Sequence, residues 1–150
     1  MDNIQKLDID GARDTVEVDG VLGVFYKIRV GGQVIRRAKG GWAFPMRNGT
    51  TSRVTARGIM PGFQRLYFDD VPVYAIGAHV DTPLRIVMFL PFVLIFVNPL
   101  FGLVLGALLY FMNISLVKNP LMPHVLRIAL PVINTIAGAV ILYMVRGLLS

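Results

Sequence analysis

The chain has 150 residues, of which 55% are hydrophobic and only 16% are charged, and its mean hydropathy of +0.63 is too high for a soluble domain of this length. Residues 1–85 hold twelve of the fifteen lysines and arginines and all nine acidic residues, so a polar part precedes an apolar part. This composition excludes a purely soluble enzyme, a disordered tail, a collagen-like chain and a disulfide-stapled secreted domain.

Two absences narrow the class of protein further. The chain has no cysteine, which excludes a disulfide framework, a thiolate nucleophile and a cysteine-ligated metal. The first twenty residues are acidic and have neither the basic nor the apolar region of a cleavable signal. We therefore expect a protein of the inner or cytoplasmic membrane whose residues 1–83 stay on the cytoplasmic side.

The net charge of +6 is concentrated in one stretch, because nine basic residues and no acid lie between Lys27 and Arg65. On a domain tethered to a bilayer, such a stretch is typical of attraction to anionic headgroups. Nucleic-acid binding is not expected, since no recognised motif accompanies the charge. The candidate ligand- or headgroup-binding residues are Arg36, Arg37, Arg53, Arg57 and Arg65.

Residues 1–83 are predicted to form a small β domain that includes a flexible acidic N-terminal stretch. Short runs of β-branched and aromatic residues are separated by glycine, proline, asparagine or aspartate turns at Gly31-Gly32, Asn48-Gly49, Met60–Gly62 and Asp69-Asp70. No linker is long enough for the helix of a parallel crossover. We therefore predict about six antiparallel strands in a small barrel or a sandwich, with Pro72 at an edge or a strand start.

The aromatic residues of this domain fall at strand spacing. Trp42, Phe44, Phe63 and their neighbours could form a stacking platform for a nucleotide. Aromatic residues at this spacing are more often core, and a domain this small buries only about 60% of its unfolded surface. We therefore expect these aromatic residues in the core. We also expect the domain to be stabilised by contacts with the membrane, with the helices that follow or with further copies of itself.

The apolar part begins with thirty-two uncharged residues from Ile86 to Val117, which indicates a membrane span. As one helix, residues 84–112 would be about 44 Å long, against about 30 Å for the hydrocarbon core. We favour a single helix over about 84–117, kinked at Asn98-Pro99 and crossing once. The alternative is two short helices, Leu84–Val97 and Leu100–Val117, that enter and return to the same side.

A second helix is predicted over about 124–147. Eighteen uncharged residues separate Arg127 from Arg146, and the short connection before it contains two prolines, so the two helices should form a hairpin. Arg85 and Arg146 would flank one side of the membrane and Lys118 and Arg127 the other, so this charge count does not set the orientation. The missing signal sequence favours both termini on the cytoplasmic side.

Small residues recur at helical spacing in both spans. Such residues let helix backbones approach closely, although glycine is common in membrane helices for other reasons. The candidate helix-packing residues are Gly102, Gly106, Asn134 and Gly138. No acidic or basic residue is expected at mid-membrane depth, which argues against a self-contained pump or transporter.

The search for chemistry yields no catalytic residue, no metal site and no cofactor site. Asp69-Asp70 with His79 and Asp81 could hold a divalent cation, but an Asp-Asp pair between strands is far more often a turn. Three of these residues, Asp69, Asp70 and His79, would be the functional residues under a third hypothesis, a lipid-handling enzyme.

We therefore expect a non-enzymatic accessory or structural subunit of a larger membrane assembly, or a homo-oligomer, acting through its β domain. The expected partners are the lipid bilayer and other membrane-protein subunits or further copies of the chain. The alternative is a sensor or effector whose basic β domain binds an anionic ligand or headgroup and controls oligomerisation or membrane perturbation.

Overall fold

The computed structural model of the protein describes residues 3–149 and divides the chain into two compact units between Ala78 and His79. The first unit is built from strands and the second from helices, as the composition predicts. The strands are β1 (Ile4–Leu7), β2 (Val16–Asp19), β3 (Lys27–Val30), β4 (Gln33–Ile35), β5 (Gly41–Pro45), β6 (Thr51–Arg57), β7 (Arg65–Phe68) and β8 (Val71–Ala75).

The strands form two open antiparallel sheets of four, in the orders β1-β2-β3-β4 and β5-β6-β7-β8. The antiparallel prediction is confirmed, because all six strand pairings are antiparallel and, within each sheet, a turn or loop joins each strand to its neighbour. The barrel prediction is wrong, since each sheet keeps two edge strands. The count of about six strands is wrong as well, since there are eight.

One of the additional strands lies in the acidic stretch that we predicted to be flexible. β1 pairs with β2 in the register Ile4↔Asp19 to Leu7↔Val16, and Leu7 is buried. The other is β5, which pairs with β6 across the Asn48-Gly49 turn. Sequence reasoning missed β1 because charged residues surround its one buried side chain and hide the alternation.

The predicted turns are confirmed by their backbone angles. Gly31 and Gly32 both have positive φ, as a type I′ hairpin turn demands, and they join β3 to β4. Asp69 and Asp70 also both have positive φ, at 47° and 62°, and join β7 to β8. Short acidic side chains tolerate this conformation better than most, so the Asp-Asp pair is a turn.

Buried side chains of both sheets form a single hydrophobic cluster. Val18, Ile28, Val54 and Leu66 are fully buried there. The core prediction is confirmed for Trp42 and for Phe44, which is 2% exposed. Pro72 lies on β8, an edge strand, as predicted, and it pairs with Tyr67 where the β7–β8 register shifts.

The second unit consists of four helical segments. They are α1 (Thr82–Val87), a 3₁₀ helix (Leu90–Phe96), α2 (Pro99–Lys118) and α3 (His124–Leu149). The prediction of one kinked helix over 84–117 is wrong, because the chain is extended at Asn98 and a new helix begins at Pro99. The Asn98 side chain caps this helix by accepting from the Phe101 N–H at 3.1 Å, and Pro99 suits the first helical position.

The 3₁₀ helix folds back along α2. The α-carbon of Gly102 lies so close to the Leu94 carbonyl that an added Cβ would be 2.0 Å from its oxygen. Four residues later, a Cβ on Gly106 would be 2.8 Å from the Pro91 oxygen. Because later residues of α2 meet earlier residues of the 3₁₀ helix, the two segments are antiparallel. The chain therefore forms two antiparallel segments that reverse at Asn98.

We call the segment from α1 to the end of α2, which reverses at Asn98, the returning hairpin. Its two ends lie close together. The His79 ring donates from Nε2 to the Lys118 carbonyl at 3.0 Å, and Arg85 donates to the Val80 carbonyl at 2.9 Å. α3 then starts at the same end, with His124 Nε2 3.9 Å from Asp81 Oδ2.

α3 packs along the hairpin through Gly138, whose added Cβ would be 3.0 Å from Leu94 and 3.2 Å from Leu109. Pro131 lies inside α3, and the Thr135 hydroxyl donates to the Pro131 carbonyl at 2.7 Å. Such a back-bond satisfies the hydroxyl in an apolar setting.

α2 and α3 are long and apolar enough to cross a membrane. Only 33% and 22% of their most apolar windows are buried within the protein. Most of these apolar side chains therefore face outward, which distinguishes the two helices from the core helices of a soluble domain.

Candidate functional site

The outer face of the second sheet carries three of the five predicted arginines. Val54 of β6 and Leu66 of β7 point into the core and are fully buried. Because side chains alternate along a strand, Arg53, Arg57 and Arg65 point to the opposite face. We call these three residues the arginine face.

Two members of the arginine face stand directly opposite each other. Arg57 of β6 pairs in register with Arg65 of β7. Like charges at directly opposed positions of an antiparallel pair are destabilising. The sequence showed the basic run, but only the register shows that these two positive charges face each other.

Neighbouring groups hold Arg57 and Arg53 in place. Arg57 forms an ion pair with Asp70 and its guanidinium lies over the Tyr67 ring, 4.6 Å from the centroid. Both partners of that ion pair are largely exposed, so it contributes little to stability. Arg53 donates from Nη1 to the Lys39 carbonyl at 3.1 Å.

Arg36 and Arg37 do not join the arginine face. Both follow β4 in the connection to β5. The Arg37 guanidinium lies over the ring of Trp42, 5.2 Å from its centroid, and Arg36 is exposed. The five residues predicted as one binding set therefore separate into an arginine face of three and a second location at Trp42.

The charges of the β domain are unevenly divided between its sheets. Six of the nine acids precede β3, and Asp19 among them lies 3.5 Å from Arg29. Residues 39–78 contain five basic residues against two acids. The field of the domain is consequently positive on the side of the arginine face.

A groove of about 450 Å³ lies beside Trp42. Its walls include Trp42 and Tyr26, whose ring centroids are 5.8 Å apart. The Tyr26 hydroxyl donates to Gln64 Oε1 at 2.6 Å. Burial raises the pKa of Tyr26, and the nearby positive charge of Arg37 opposes that rise, so the hydroxyl stays protonated at neutral pH.

The rim of this groove combines basic and apolar side chains. Lys27 and Arg37 supply two positive charges, and none of the described lining residues is acidic. Phe25 and Ile59 project from the β2–β3 and β6–β7 loops and are 83% and fully exposed. Sequence reasoning missed the groove, because no local pattern brings these two loops together, although Phe25 and Ile59 each stand next to a turn.

The predicted metal-binding residues do not assemble into a cluster. Within residues 3–149, no group of three or more histidine, aspartate or glutamate side chains could hold a metal ion. Asp69 and Asp70 form the β7–β8 turn, and the His79 ring is hydrogen-bonded to the Lys118 carbonyl.

The predicted helix-packing residues have different roles. Gly102 and Gly106 contact the 3₁₀ helix of the same chain, and Gly138 contacts side chains of that helix and of α2. Asn134 lies on α3 and is half-buried. The close approaches at the glycines are thus made between helices of one chain.

One buried polar side chain of the second unit was not predicted. Asn113 of α2 is fully buried, and neither its Nδ2 nor its Oδ1 has a hydrogen-bond partner. Such an unsatisfied amide costs about 1–3 kcal/mol for the group left unpaired.

Comparison with known proteins gives no relative. No protein-family model, no curated protein and no solved structure matches this chain.

Proposed function

We propose that this chain is a non-enzymatic integral membrane protein that acts by binding, as an accessory or structural subunit of a larger membrane assembly. The observation that carries the proposal is the arginine face of the second sheet. Arginine is enriched at protein interfaces, where its planar guanidinium makes two parallel hydrogen bonds to a carboxylate.

The opposed pair Arg57 and Arg65 supports an acidic partner. Their mutual repulsion costs stability in the free domain, and Asp70 offsets it at Arg57 alone. Carboxylates placed over the face would relieve that repulsion at both residues. The partner surface we propose is therefore acidic, and it contacts the β domain.

Native mass spectrometry of the protein extracted from its own host in mild detergent tests this proposal. We expect foreign subunits at fixed stoichiometry, and their loss in the Arg53→Ala/Arg57→Ala/Arg65→Ala variant. The matched control is Lys6→Ala/Arg13→Ala/Arg36→Ala, which removes the same charge from exposed positions outside the arginine face. Companions retained by both variants would contradict the proposal.

The second candidate function is a sensor whose arginine face binds a small anion. It is favoured by the same three side chains, two of which are already oriented by Asp70, Tyr67 and the Lys39 carbonyl. Inorganic pyrophosphate added to the full chain in detergent would raise its thermal midpoint if this candidate is right. The rise should vanish in the triple arginine variant, whereas the subunit proposal requires no rise in either protein.

The returning hairpin bears on how the chain lies in the membrane. His79 and the connection between α2 and α3 share one end of the helical unit. Basic residues gather at that end, since Arg85 bonds the Val80 carbonyl and Arg127 bonds the Met122 and Pro120 carbonyls.

The opposite end of the helical unit has Arg146 alone. Together with Lys118, the first end has three basic residues, so the count that was two against two becomes three against one. Such an excess favours the cytoplasmic side. On this charge distribution we propose a cytoplasmic β domain and a C-terminal end of α3 on the other side of the membrane, which replaces our expectation of two cytoplasmic termini.

A further inference from the structure

We propose that the groove beside Trp42 is a docking surface for an anionic bilayer, with Phe25 and Ile59 entering the interfacial layer and Lys27 and Arg37 contacting headgroup phosphates. This inference rests on membrane insertion of α2 and α3 and is independent of a partner at the arginine face.

The first argument is the exposure of two apolar side chains at loop tips. Phe25 is 83% exposed and Ile59 is fully exposed, more than the exposed valines on the strands, Val34 at 50% and Val71 at 61%. Single exposed apolar residues are ordinary on protein surfaces. These two differ because they stand on separate loops that border one groove.

The second argument is the charge around those tips. The groove has two basic side chains and, among its described lining residues, no acid, so its electrostatics suit an anionic surface and no cationic one. A basic residue near a membrane surface is attracted to anionic lipids, and the attraction falls off within a screening length of the surface. Lys27 directly follows the Phe25-Tyr26 pair, so a positive charge and the apolar Phe25 side chain would reach the bilayer surface at the same place.

The third argument is the aromatic lining. Tyr26 and Trp42 form the wall of the groove, with the Tyr26 hydroxyl and the Arg37 guanidinium at its polar side. Tyrosine favours the membrane–water interface, because its ring is apolar and its hydroxyl is polar. Tyr26 is partly exposed and can meet that layer, whereas Trp42 lies in the core behind it.

The identity of the occupant follows from the chain itself. Six residues separate the end of β8 at Ala75 from the start of α1 at Thr82, and α2 and α3 are apolar enough to cross a membrane. A bilayer surface is therefore within reach of the β domain at all times. A soluble partner would have to be recruited, and the side chains of Phe25 and Ile59 have no hydrogen-bond donors or acceptors by which it could be recognised.

Trp42 is the only tryptophan, so its fluorescence reports on this groove alone. We would place the full chain in lipid nanodiscs of phosphatidylcholine, with and without phosphatidylglycerol, held by a belt that contains no tryptophan, and quench Trp42 with lipids brominated near the glycerol. We expect at least twofold stronger quenching in the anionic discs.

Substitutions test whether the quenching of Trp42 depends on Phe25, Ile59 and Lys27. Phe25→Ser/Ile59→Ser and, separately, Lys27→Ala should reduce the quenching in anionic discs to the level of neutral discs. The control Val34→Ser/Val71→Ser removes two exposed apolar side chains from strands outside the groove and should keep it. The emission of each variant in detergent verifies that Trp42 is still buried.

Equal quenching in the two bilayers overturns the proposal, as does quenching that Phe25→Ser/Ile59→Ser leaves unchanged. Loss of quenching in the valine control overturns it too, because any exposed apolar side chain would then suffice. The discs contain lipid, the belt and this chain but no partner subunit, and the triple arginine variant should dock normally. Failure of docking is therefore distinguishable from failure to find a partner subunit.

Discussion

Non-glycine residues with positive φ are the positions where the backbone of this protein is strained. Lys39 has φ of 49° and precedes Gly40 in a turn that Ala38 and Gly41 close with hydrogen bonds of 2.8 and 3.1 Å. The left-handed conformation brings the Cβ of an L-residue too close to the following carbonyl oxygen. Asparagine tolerates it better, and Asn-Gly is the strongest sequence for such a turn.

We predict that Lys39→Asn stabilises the β domain by about 0.5–1 kcal/mol, because it relieves the left-handed strain while the Lys39 carbonyl still accepts from Arg53. Thermal unfolding followed by Trp42 fluorescence measures this. The control is Lys6→Asn, at an exposed lysine of β1 that does not have positive φ. There asparagine is a poorer strand former and should lower the midpoint.

A second prediction concerns Asn113. Replacing a buried amide whose polar atoms are both unpaired by an apolar side chain of similar size removes the desolvation cost. We expect Asn113→Leu to raise the thermal midpoint of the helical unit, by an amount equivalent to about 1 kcal/mol. Circular dichroism of the helical signal in detergent is the measurement.

The comparison for Asn113 is Asn119→Leu. Asn119 accepts from the Leu121 N–H at 3.0 Å, so its loss should lower the midpoint. If both variants lowered it equally, Asn113 would have a partner in the folded protein and the explanation from an unsatisfied amide would be wrong.

At the scale of elements, the reversal at Asn98 depends on glycines a full turn and more into α2. The 3₁₀ helix can lie against α2 only because Gly102 and Gly106 have no Cβ. The two prolines at Pro91 and Pro99 lack an N–H, so a continuous helix through this region would be interrupted anyway. Proline therefore prevents one continuous helix, and the absence of a Cβ at Gly102 and Gly106 lets the 3₁₀ helix pack against α2.

We predict that Gly102→Ala destabilises the helical unit by about 2 kcal/mol or more, since backbone atoms would have to move and overpacking has this magnitude. The added Cβ would stand 2.0 Å from the Leu94 oxygen and 2.5 Å from its carbon. The helical signal on heating in detergent should report the loss.

Gly147→Ala is the matched control for Gly102→Ala. No atom lies within 4 Å of its added Cβ, and alanine favours helix over glycine by up to about 1 kcal/mol. An unchanged midpoint in Gly102→Ala would mean that the 3₁₀ helix does not lie against α2 in the folded protein.

At the scale of the whole molecule, the returning hairpin predicts the membrane topology. Because the chain has no cysteine, single cysteines placed at Asn48, Leu121 and Gly147 label without background. With a membrane-impermeant maleimide on intact cells, we expect labelling at Gly147→Cys alone. Leu121 is 86% exposed in the connection between α2 and α3, so lack of labelling there would reflect its side of the membrane.

A single crossing by residues 84–117 predicts the opposite pattern. Leu121→Cys would then be labelled from outside and Gly147→Cys would be protected. Permeabilised cells should label all three positions, which verifies that each cysteine is reactive. Labelling of Asn48→Cys in intact cells would reverse the proposed orientation of the β domain.

Sequence reasoning reached the two-part organisation, the antiparallel strands, four of the turns and the two long apolar helices. These follow from local chemistry: a glycine pair or an Asp-Asp pair sets a turn, and an uncharged run of eighteen residues predicts a span. It missed β1, whose alternation is masked by charge, and it favoured one kinked helix where the chain reverses.

The sequence by itself determined which segments are polar and which are apolar enough to cross a membrane, because hydropathy adds up residue by residue along the chain. Only the tertiary structure decided that the arginine face has three members, that Arg37 belongs to the groove at Trp42, and that the glycines of α2 receive a segment of their own chain. These depend on strand register and on backbone approach between distant residues, and a local pattern contains neither.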